Sequence, residues 1–467
     1  MNDTVTLPAV DEYRSFLEAK IKFEGAHGIV VDPDSLHPIL KPHQRALTSW
    51  ALRKGHAAIF ADTGLGKTFM QLEWARALDK KTLFLAPLSV ARQTVREAEK
   101  LDIELTYARD QAAATRFTIS NYEMVEHFDP KAFDAVVLDE SSILKATEGV
   151  YRNKLNDAFA RTPYRLCCTA TPAPNDIQEL TNHCEFLSIM RRRDVLATYF
   201  LHQADDARAS GWRLKGHARQ AFWRWLASWA MSLKRPSDLG YSDDGYDLPP
   251  LTVAPVVVDT DYVTPGKLFA DRLQGITERT AIRRETLQAR VDAAAALVVA
   301  EPAEPWLIWT GLNDESEAML EALGGRGVEV KGSDSPERKA ELLEAFIDGA
   351  IMALITKTRI AGFGMNFQHC ARQIFVGIND SYEQYYQAIR RSWRFGQTRP
   401  VHVYVVISDP ERAVYDNVLR KEKEAEQMAS ELVRHVVQFE REELGAAVRS
   451  DTGYLAHSKL KLPEWLP

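Results

Sequence analysis

Short apolar runs alternate with longer amphipathic segments along most of this chain, from about residue 56 onward. A first series of apolar runs comprises Ala57–Phe60, Thr82–Ala86, Ala135–Leu138 and Leu166–Thr169. A second series comprises Trp306–Trp309, Val328–Val330, Ile351–Ile355, Gln373–Val376 and Val401–Ile407. Uninterrupted apolar runs of this length are typical of strands that are buried on both faces of a parallel sheet. Helix-like segments separate the runs, so the pattern predicts an α/β fold with two parallel-sheet lobes.

The same pattern divides the chain into five segments. We expect an N-terminal extension over 1–35, a first lobe over 36–262, a linker over 263–300, a second lobe over 301–410, and a C-terminal brace helix with a tail over 411–467. The apolar residues of the last segment recur on one helical face, which favours a brace across both lobes over a coiled coil.

The stretch of about 188–250 interrupts the strand–helix alternation, and we interpret it as a helical insertion in the first lobe. It contains Trp223, Trp225 and Trp229, for which packing in the core is favoured over stacking on nucleic-acid bases. The apolar run that follows, Leu251–Val258, is predicted to return as a strand of the first lobe.

Composition narrows the class of protein. Of the 467 residues, 45% are hydrophobic and 26% are charged, which is ordinary for a globular protein. A net charge of −7 excludes a uniformly basic protein that coats nucleic acid, but it does not exclude a local basic groove. The longest apolar run, Ala293–Ala300, is much shorter than the roughly 20 residues that span a bilayer, and the first residues carry no secretory signal. We therefore expect a cytoplasmic protein without membrane contact.

The four cysteines argue against a zinc knuckle or a disulfide framework, because none of them forms a C-x-x-C pair. Cys167 and Cys168 are adjacent and fall within a predicted strand. Free cysteine usually behaves as a small buried hydrophobic residue, so this pair is expected in the core.

The strongest chemical motif is a phosphate-binding loop, Ala61-Asp-Thr-Gly-Leu-Gly-Lys-Thr68, between a predicted strand and a helix-like segment. Its glycines allow backbone N–H groups to approach phosphate oxygens, and the N-terminus of the helix favours negative charge. Lys67 is predicted to reach the β- and γ-phosphates of ATP, and the hydroxyl of Thr68 to bind Mg²⁺. The predicted ATP-binding residues of the loop are Thr63, Gly64, Gly66, Lys67 and Thr68.

An acidic pair ends the third apolar run, in the segment Val136-Val-Leu-Asp-Glu-Ser-Ser142. Asp139 is predicted to hold Mg²⁺, and Glu140 to orient or deprotonate an attacking water. An acid that only terminates a strand at the surface is the alternative. Together with the phosphate-binding loop, the pair predicts hydrolysis of ATP rather than simple binding.

Three arginines crowd one helical stretch near the end of the second lobe: Arg390, Arg391 and Arg394. Arg391 and Arg394 are three residues apart and therefore share a helical face. Such a cluster repels itself unless an anion binds, and a γ-phosphate in a transition state is such an anion. We therefore predict that these two residues are arginine fingers, with a solvated arginine face as the alternative.

The loop and the acidic pair, in this order, resemble the first motor lobe of superfamily 2 helicases, the group that includes the DEAD/DEAH-box proteins. Further segments resemble the Swi/Snf-type DNA translocases of that superfamily. They are Leu40-Lys-Pro-His-Gln-Arg45, Leu85-Ala-Pro-Leu88, Ser120-Asn-Tyr122, Cys168-Thr-Ala-Thr-Pro-Ala-Pro-Asn175, Thr358-Arg-Ile-Ala-Gly-Phe-Gly-Met-Asn366 and Gln387-Ala-Ile-Arg-Arg-Ser-Trp-Arg-Phe-Gly-Gln397. The resemblance covers about residues 36–410.

This resemblance implies two RecA-like lobes that close on ATP and Mg²⁺, with Gln44 in contact with adenine. It implies a nucleic acid across both lobes, expected to be double-stranded DNA, at Ser120, Asn121, Thr358 and Asn366. It also implies that four residues couple the ATP site to the nucleic acid: Thr169, Thr171, Gly362 and Gln387. The chain departs from the family at Ser142, where His or Asp is usual.

The family members that the chain resembles are the bare motors of bacteria and phages, in which an unidentified loading protein is a further expected partner. Two alternatives to a translocase stay open at this point. One is a DNA or RNA helicase that separates strands, and the other is a nucleic-acid clamp that binds nucleotide without turnover. The Arg191-Arg-Arg193 triplet is a candidate contact for backbone phosphates, with a solvated surface as its alternative.

Overall fold

The computed structural model describes residues 27–145, 150–173, 176–202, 211–259, 276–361, 366–379 and 381–449. Several predicted features therefore lie outside the described residues. They are most of the N-terminal extension, much of the linker, the tail after residue 449, and Gly362.

The strands of the described residues are, in chain order, β1 (His56–Ala61), β2 (Thr82–Ala86), β3 (Leu105–Tyr107), β4 (Phe117–Asn121), β5 (Ala135–Asp139), β6 (Tyr164–Cys168), β7 (Phe200–His202), β8 (Trp212–Leu214), β9 (Ala230–Leu233), β10 (Leu251–Val258), β11 (Trp306–Thr310), β12 (Gly327–Val330), β13 (Ala353–Lys357), β14 (Arg372–Val376) and β15 (Val401–Ser408). Each of the predicted apolar runs coincides with one of them. The prediction of two parallel-sheet lobes is confirmed.

The α-helices of the same residues are, in chain order, α1 (Pro42–Lys54), α2 (Lys67–Leu78), α3 (Leu88–Glu99), α4 (Val150–Phe159), α5 (Leu180–Phe186), α6 (Arg192–Tyr199), α7 (Arg219–Ala227), α8 (Ile276–Glu285), α9 (Leu287–Ala300), α10 (Asn313–Leu323), α11 (Pro336–Ile347), α12 (Thr358–Ala361), α13 (Tyr382–Ile389) and α14 (Arg412–Arg449). No helix in the described ranges combines the length and apolar character that crossing a membrane requires.

The first lobe is built on a sheet in which seven described strands run parallel, in the order β3-β4-β2-β5-β6-β1-β9. Its central strands are buried along their whole length, as their uninterrupted apolar sequences require. Strand β6 lies between β5 and β1, with Asp139 opposite Cys168 and Ile59 opposite the same cysteine on the other side. The loops that follow β1, β5 and β6 therefore meet at one edge of the sheet, where ligands bind in open α/β sheets.

The second lobe is a parallel sheet whose six described strands have the order β10-β15-β14-β11-β13-β12. Helix α9 packs one face of it with Val291, Ala294 and Val298, while α13 and the start of α14 cover the other. Two arginines and two glutamates form a buried network beside α9: Arg283 and Arg290 with Glu315 and Glu411. This network fixes the helices that precede the lobe to α10 and to the turn that follows β15.

Two parts of the predicted organisation are corrected. Strand Leu251–Val258 was expected in the first lobe, but it pairs along its whole length with β15 in the second sheet. Helices α8 and α9, which fall in the predicted linker, pack against the second lobe. Both errors have one cause, because an apolar run or helix face does not specify which of two cores it enters.

The insertion contributes more to the first lobe than expected. Strand β9 lies within it and pairs in parallel with β1 at the edge of the sheet. Trp225 and Trp229 are fully buried, as predicted, and Trp223 stacks on His435 with ring centroids 5.3 Å apart. The short strands β7 and β8 form a separate antiparallel pair that the apolar pattern did not predict.

Helix α14 contacts both lobes. Val414 and Val418 near its start pack into the core of the second lobe, whereas Leu432 and Val436 further along pack into the first. The fully buried Glu440 accepts a hydrogen bond of 2.6 Å from the backbone N–H of Ser232 in β9. The helix therefore ties the strand next to the phosphate-binding loop to the other lobe.

Candidate active site

The phosphate-binding loop turns sharply between β1 and α2 because two of its glycines have positive φ angles, 91° at Gly64 and 83° at Gly66. Glycine adopts this region without the steric cost that other residues incur. A Cβ atom at Gly66 would lie 2.2 Å from Nε2 of Gln44. Residue 66 must therefore be glycine for the loop to keep its contact with α1.

Gln44, the predicted adenine contact, is almost fully buried beside this loop. Its Oε1 accepts a hydrogen bond of 2.9 Å from the backbone N–H of Lys41, and its Nε2 donates one of 3.0 Å to the carbonyl of Leu65. Each end of the amide thus holds the loop or α1 in place, while its second lone pair and second N–H stay available for a ligand.

Lys67 is the first residue of α2, and its side chain points back towards the phosphate-binding loop. Its Nζ donates hydrogen bonds of 2.8 Å to the carbonyl of Ala61 and 3.2 Å to that of Asp62. Thr68 follows at the same helix N-terminus and is half-buried. The two side chains predicted to bind phosphate and metal therefore start from one helical turn.

The acidic pair lies at the end of β5, across β6 from the loop. Oδ1 of Asp139 accepts hydrogen bonds of 2.8 Å from Nε2 of Gln71 and 3.1 Å from the N–H of Glu140. Burial raises the pKa of Asp139 to about 6, and repulsion from Glu140 acts in the same direction. A buried carboxylate that is repelled by a second, half-buried carboxylate is electrostatically suited to a cation.

Glu140 has a φ of 54°, a left-handed conformation that is strained for a residue with a side chain. Its Oε2 accepts a hydrogen bond of 3.4 Å from the hydroxyl of Thr169, which in turn accepts one of 3.1 Å from the N–H of Thr171. The two predicted coupling threonines are therefore connected to the predicted water-orienting glutamate through one chain of hydrogen bonds.

The arginines of the second lobe reach this site across the interface. Arg391 is 5% exposed, and its Nε donates a hydrogen bond of 3.2 Å to the carbonyl of Gln387. Burial lowers the pKa of Arg391 to about 9, and repulsion from Arg394 contributes to the lowering. Attraction from Glu140 and Asp139 opposes it, so the guanidinium lies within electrostatic reach of the acidic pair.

Arg394 is half-buried, and its partial loss of hydration lowers its pKa, while Glu97 in the first lobe attracts it. Its Nε has no hydrogen-bond partner among the described residues. The same holds for Oε1 of Gln387, the last of the predicted coupling residues. A buried polar atom without a hydrogen-bond partner destabilises the folded protein. Such atoms are expected where a bound ligand supplies the missing partner.

Ser120 and Asn121, the predicted nucleic-acid contacts of the first lobe, end strand β4. Ser120 is fully buried, and its hydroxyl donates a hydrogen bond of 2.7 Å to the carbonyl of Ala108. Nδ2 of Asn121 donates one of 2.6 Å to Glu123, and its Oδ1 accepts one of 3.1 Å from Tyr107. In this conformation the Ser120 side chain serves the fold and is closed to a nucleic acid.

The predicted contacts of the second lobe are more accessible. Thr358 starts α12 and is half-buried, with its hydroxyl 3.1 Å from Oε1 of Gln384. Asn366 is half-buried and accepts a hydrogen bond of 3.3 Å from the N–H of Gln368. Both hydrogen bonds stay within the second lobe, and the proposed role of the two residues in nucleic-acid contact stays a prediction.

An aromatic group beside the loop was missed at the sequence level. The backbone N of Phe395 would lie 3.2 Å from a Cβ at Gly64, and Tyr246 stacks on Phe395 with ring centroids 5.0 Å apart. His43 meets Tyr246 edge to face at 5.3 Å. Phe395 is 39% exposed although it is apolar, and an apolar residue directly after the three clustered arginines is the signal that could have identified it.

Two family models match the chain. The model "Type III restriction enzyme, res subunit" matches residues 37–174, and the model "Helicase conserved C-terminal domain" matches residues 290–396. Together they cover about half of the chain, and they include the phosphate-binding loop, the acidic pair and the arginine segment.

Relatives match over shorter stretches. The chain is 34% identical to "Helicase domino" of Drosophila melanogaster over 113 residues, which are 24% of this chain and 4% of that protein. It is 35% identical to "Helicase swr1" of Schizosaccharomyces pombe over 113 residues, which are 24% of this chain and 9% of that protein. It is 28% identical to "Uncharacterized ATP-dependent helicase YqhH" of Bacillus subtilis over 180 residues, which are 34% of this chain and 31% of that protein. The matches thus span a small part of the relatives' length.

Among solved structures, the Sulfolobus solfataricus SWI2/SNF2 ATPase core in complex with dsDNA is similar over 87% of this chain and 99% of that chain. Its sequence identity is 17% and its TM-score is 0.41.

Proposed function

We propose that this chain is a Swi/Snf-type member of the superfamily 2 helicases and that it hydrolyses ATP to move along double-stranded DNA without separating its strands. The observation that carries the proposal is that the buried Arg391 of the second lobe lies within electrostatic reach of Asp139 and Glu140 of the first. A site that two lobes complete together couples the chemical step to their closure.

The loop and α2 bind the triphosphate in this proposal. Backbone N–H groups around Gly64 and Gly66 surround the phosphates, and Lys67 leaves the carbonyls of Ala61 and Asp62 to reach them. The purine base lies beside Gln44, where the Tyr246–Phe395 stack offers it an aromatic surface. Between turnovers, when no phosphate is bound, Lys67 forms its hydrogen bonds with these two carbonyls again.

Mg²⁺ fits the residues that are present. Magnesium is usually held by one or two protein oxygens together with substrate phosphates, and Thr68 and Asp139 are such a pair. Among the residues that the structure describes, no three His, Cys, Asp or Glu side chains come together as a separate metal site. When bound, the ion would neutralise charge on the β- and γ-phosphates and on the crowded carboxylates of Asp139 and Glu140.

The remaining residues act on the reaction itself. Glu140, held by the hydroxyl of Thr169, orients the attacking water and accepts its proton. Arg391 and Arg394 stabilise the charge that develops on the transferred phosphoryl group. Because Thr169 and Thr171 share this hydrogen-bond chain, loss of the γ-phosphate changes the loop that follows β6.

Duplex DNA is proposed as the binding partner because of the family resemblance and because of the polar residues at the strand ends. Thr358 and Asn366 of the second lobe, with Asn121 of the first, contact backbone phosphates more than bases. Binding is therefore sequence-independent and weakens as salt increases. A strand-separating helicase on the same lobes is the alternative, whereas a clamp without turnover is disfavoured because Glu140 and both finger arginines are present.

The experiment is a comparison of steady-state ATP hydrolysis without nucleic acid and with equal nucleotide concentrations of duplex DNA, single-stranded DNA and RNA. Lys67→Ala, prepared in the same way, measures contaminating activity. We expect the largest stimulation with duplex DNA. Stimulation by RNA alone, or turnover equal to that of Lys67→Ala on every substrate, would contradict the proposal.

A further inference from the structure

One face of α13 connects the second lobe to both loops of the ATP site. Glu383 and Tyr386 lie on this helix, and Arg390 follows its last residue, so the three are spaced by three and four positions and share a helical face. All three contact polar side chains of the first lobe. We call them the docking face.

The densest contact is with Asp62 in the phosphate-binding loop. One carboxylate oxygen of Asp62 accepts a hydrogen bond of 2.7 Å from the hydroxyl of Tyr386, and the other lies 2.6 Å from a guanidinium nitrogen of Arg390. Nε of Arg390 donates to the same hydroxyl at 3.1 Å. The guanidinium also lies 4.6 Å from the ring of Trp393. Three groups thus form a closed hydrogen-bonded triangle across the lobe interface.

The second contact is with the turn that follows the acidic pair. The hydroxyl of Ser142 donates a hydrogen bond of 3.0 Å to one carboxylate oxygen of Glu383. Lys145 pairs with the other oxygen of the same carboxylate. Ser142 is the residue at which the sequence departs from its family, and here it faces the other lobe.

Neighbouring arginines have opposite electrostatic environments. Burial acts to lower the pKa of Arg390, but Tyr386 and Asp62 raise it above its usual value. Burial lowers the pKa of Arg391, the next residue. The first arginine is therefore held by a partner on the phosphate-binding loop, while the second keeps a charge whose burial is only partly compensated.

From this juxtaposition we infer that Arg390, Tyr386 and Asp62 form an interlobe clamp that positions the finger arginine Arg391 against the γ-phosphate. Arg390 is bonded covalently to Arg391, so fixing it to the phosphate-binding loop fixes where the next side chain starts. The inference rests on the proposed function, since it assigns positioning residues for that ATP site. These residues do not touch the reacting atoms, and their effect is on orientation, which is worth large factors in rate.

The test is a double-mutant cycle on turnover with Arg390→Gln, Asp62→Asn and the double variant. We expect Arg390→Gln to lower kcat by about tenfold or more while KM for ATP changes by less than about twofold. The double variant should be no slower than the slower single variant, because both changes break one interaction. Tyr386→Phe removes a single hydroxyl from a half-buried ring and should lower kcat by about threefold or more.

The matched control is Glu337→Gln. Glu337 pairs with Arg92 at 3.5 Å and also joins the two lobes, but both side chains are exposed and far in sequence from the loops of the site. Exposed pairs contribute little, so kcat should stay within about twofold of the original. Thermal unfolding of each variant separates loss of folding from loss of positioning.

The outcomes distinguish this inference from the proposed function. If the unmodified protein hydrolyses no more ATP than Lys67→Ala, the proposed function fails. If it hydrolyses ATP but Arg390→Gln and Tyr386→Phe keep its full kcat, only the clamp is refuted. A higher kcat in Arg390→Gln would also refute it, because the contact would then restrain the lobes rather than position the finger.

Discussion

Replacing Arg391 by alanine should separate catalysis from stability. The side chain is 5% exposed and lies within electrostatic reach of Glu140 and Asp139 across the lobe interface. An arginine finger is worth about 10³–10⁵ in rate, or about 4–7 kcal/mol of barrier. Because Arg394 remains in the variant, we expect kcat to fall by about 10²–10⁴. KM for ATP should change little, since the finger acts on charge that develops in the transition state.

The same structure predicts a small effect on folding. Burial lowers the pKa of Arg391 well below its usual value, to about 9, which means that placing the charge there opposes folding by roughly 5 kcal/mol. Truncation relieves this cost but also removes packing worth about 2–5 kcal/mol, as for other long buried side chains. The two effects oppose each other, so the midpoint of thermal unfolding should move by only a few degrees in either direction.

The assay measures steady-state hydrolysis with saturating duplex DNA, ATP affinity by a fluorescent analogue, and thermal unfolding on the same preparation. Arg399→Ala is the matched control, because Arg399 lies just after the same segment and is half-exposed in an ion pair with Glu304. A near-normal kcat in Arg391→Ala would refute the finger assignment. A large loss of folding would show that the residue is structural.

Three further outcomes follow from the site and the brace. Lys67→Ala should abolish hydrolysis, whereas Glu140→Gln should bind ATP without cleaving it, as measured by turnover and nucleotide retention. Gly66→Ala should weaken ATP binding by about tenfold or more, since its Cβ would strike the glutamine of α1 at 2.2 Å, and Gly332→Ala, in open space, is its control. Burial raises the pKa of Glu440, so the original protein should lose stability as pH rises through that raised value. Glu440→Gln should lose less in unfolding scans from about pH 5 to about pH 9.

The two-lobed architecture was predictable because buried parallel strands leave an unambiguous trace of uninterrupted apolar residues. Strand β3, of three residues, is too short to leave one. Strand β10 left a clear trace, but the choice of sheet depends on pairing with β15, about 150 residues later in the chain. Periodicity describes how a segment is buried, and it carries no information on its neighbours in space.

The residues of the proposed ATP site could be grouped from the sequence for a related reason. Lys67 follows the loop after β1, and Asp139 and Glu140 lie at the end of β5, so the order of strands in a parallel sheet brings them to the same edge. The contacts between lobes were not predictable. Asp62 and Arg390 are far apart in sequence, and their pairing depends on how two complete lobes dock. Ser142 is an example. The sequence showed that this residue departs from the pattern of the family that the chain resembles, but it did not show that Glu383 is its hydrogen-bond partner.

The central claim is that ATP hydrolysis moves this chain along duplex DNA without opening it. The most direct measurement uses one preparation, ATP, and two substrates, of which one carries a third strand in the major groove and the other is a forked duplex. Glu140→Gln on both substrates gives the background without turnover. We predict displacement of the third strand while the fork stays paired. Efficient unwinding of the fork, or no displacement of the third strand while ATP is hydrolysed, would contradict the account.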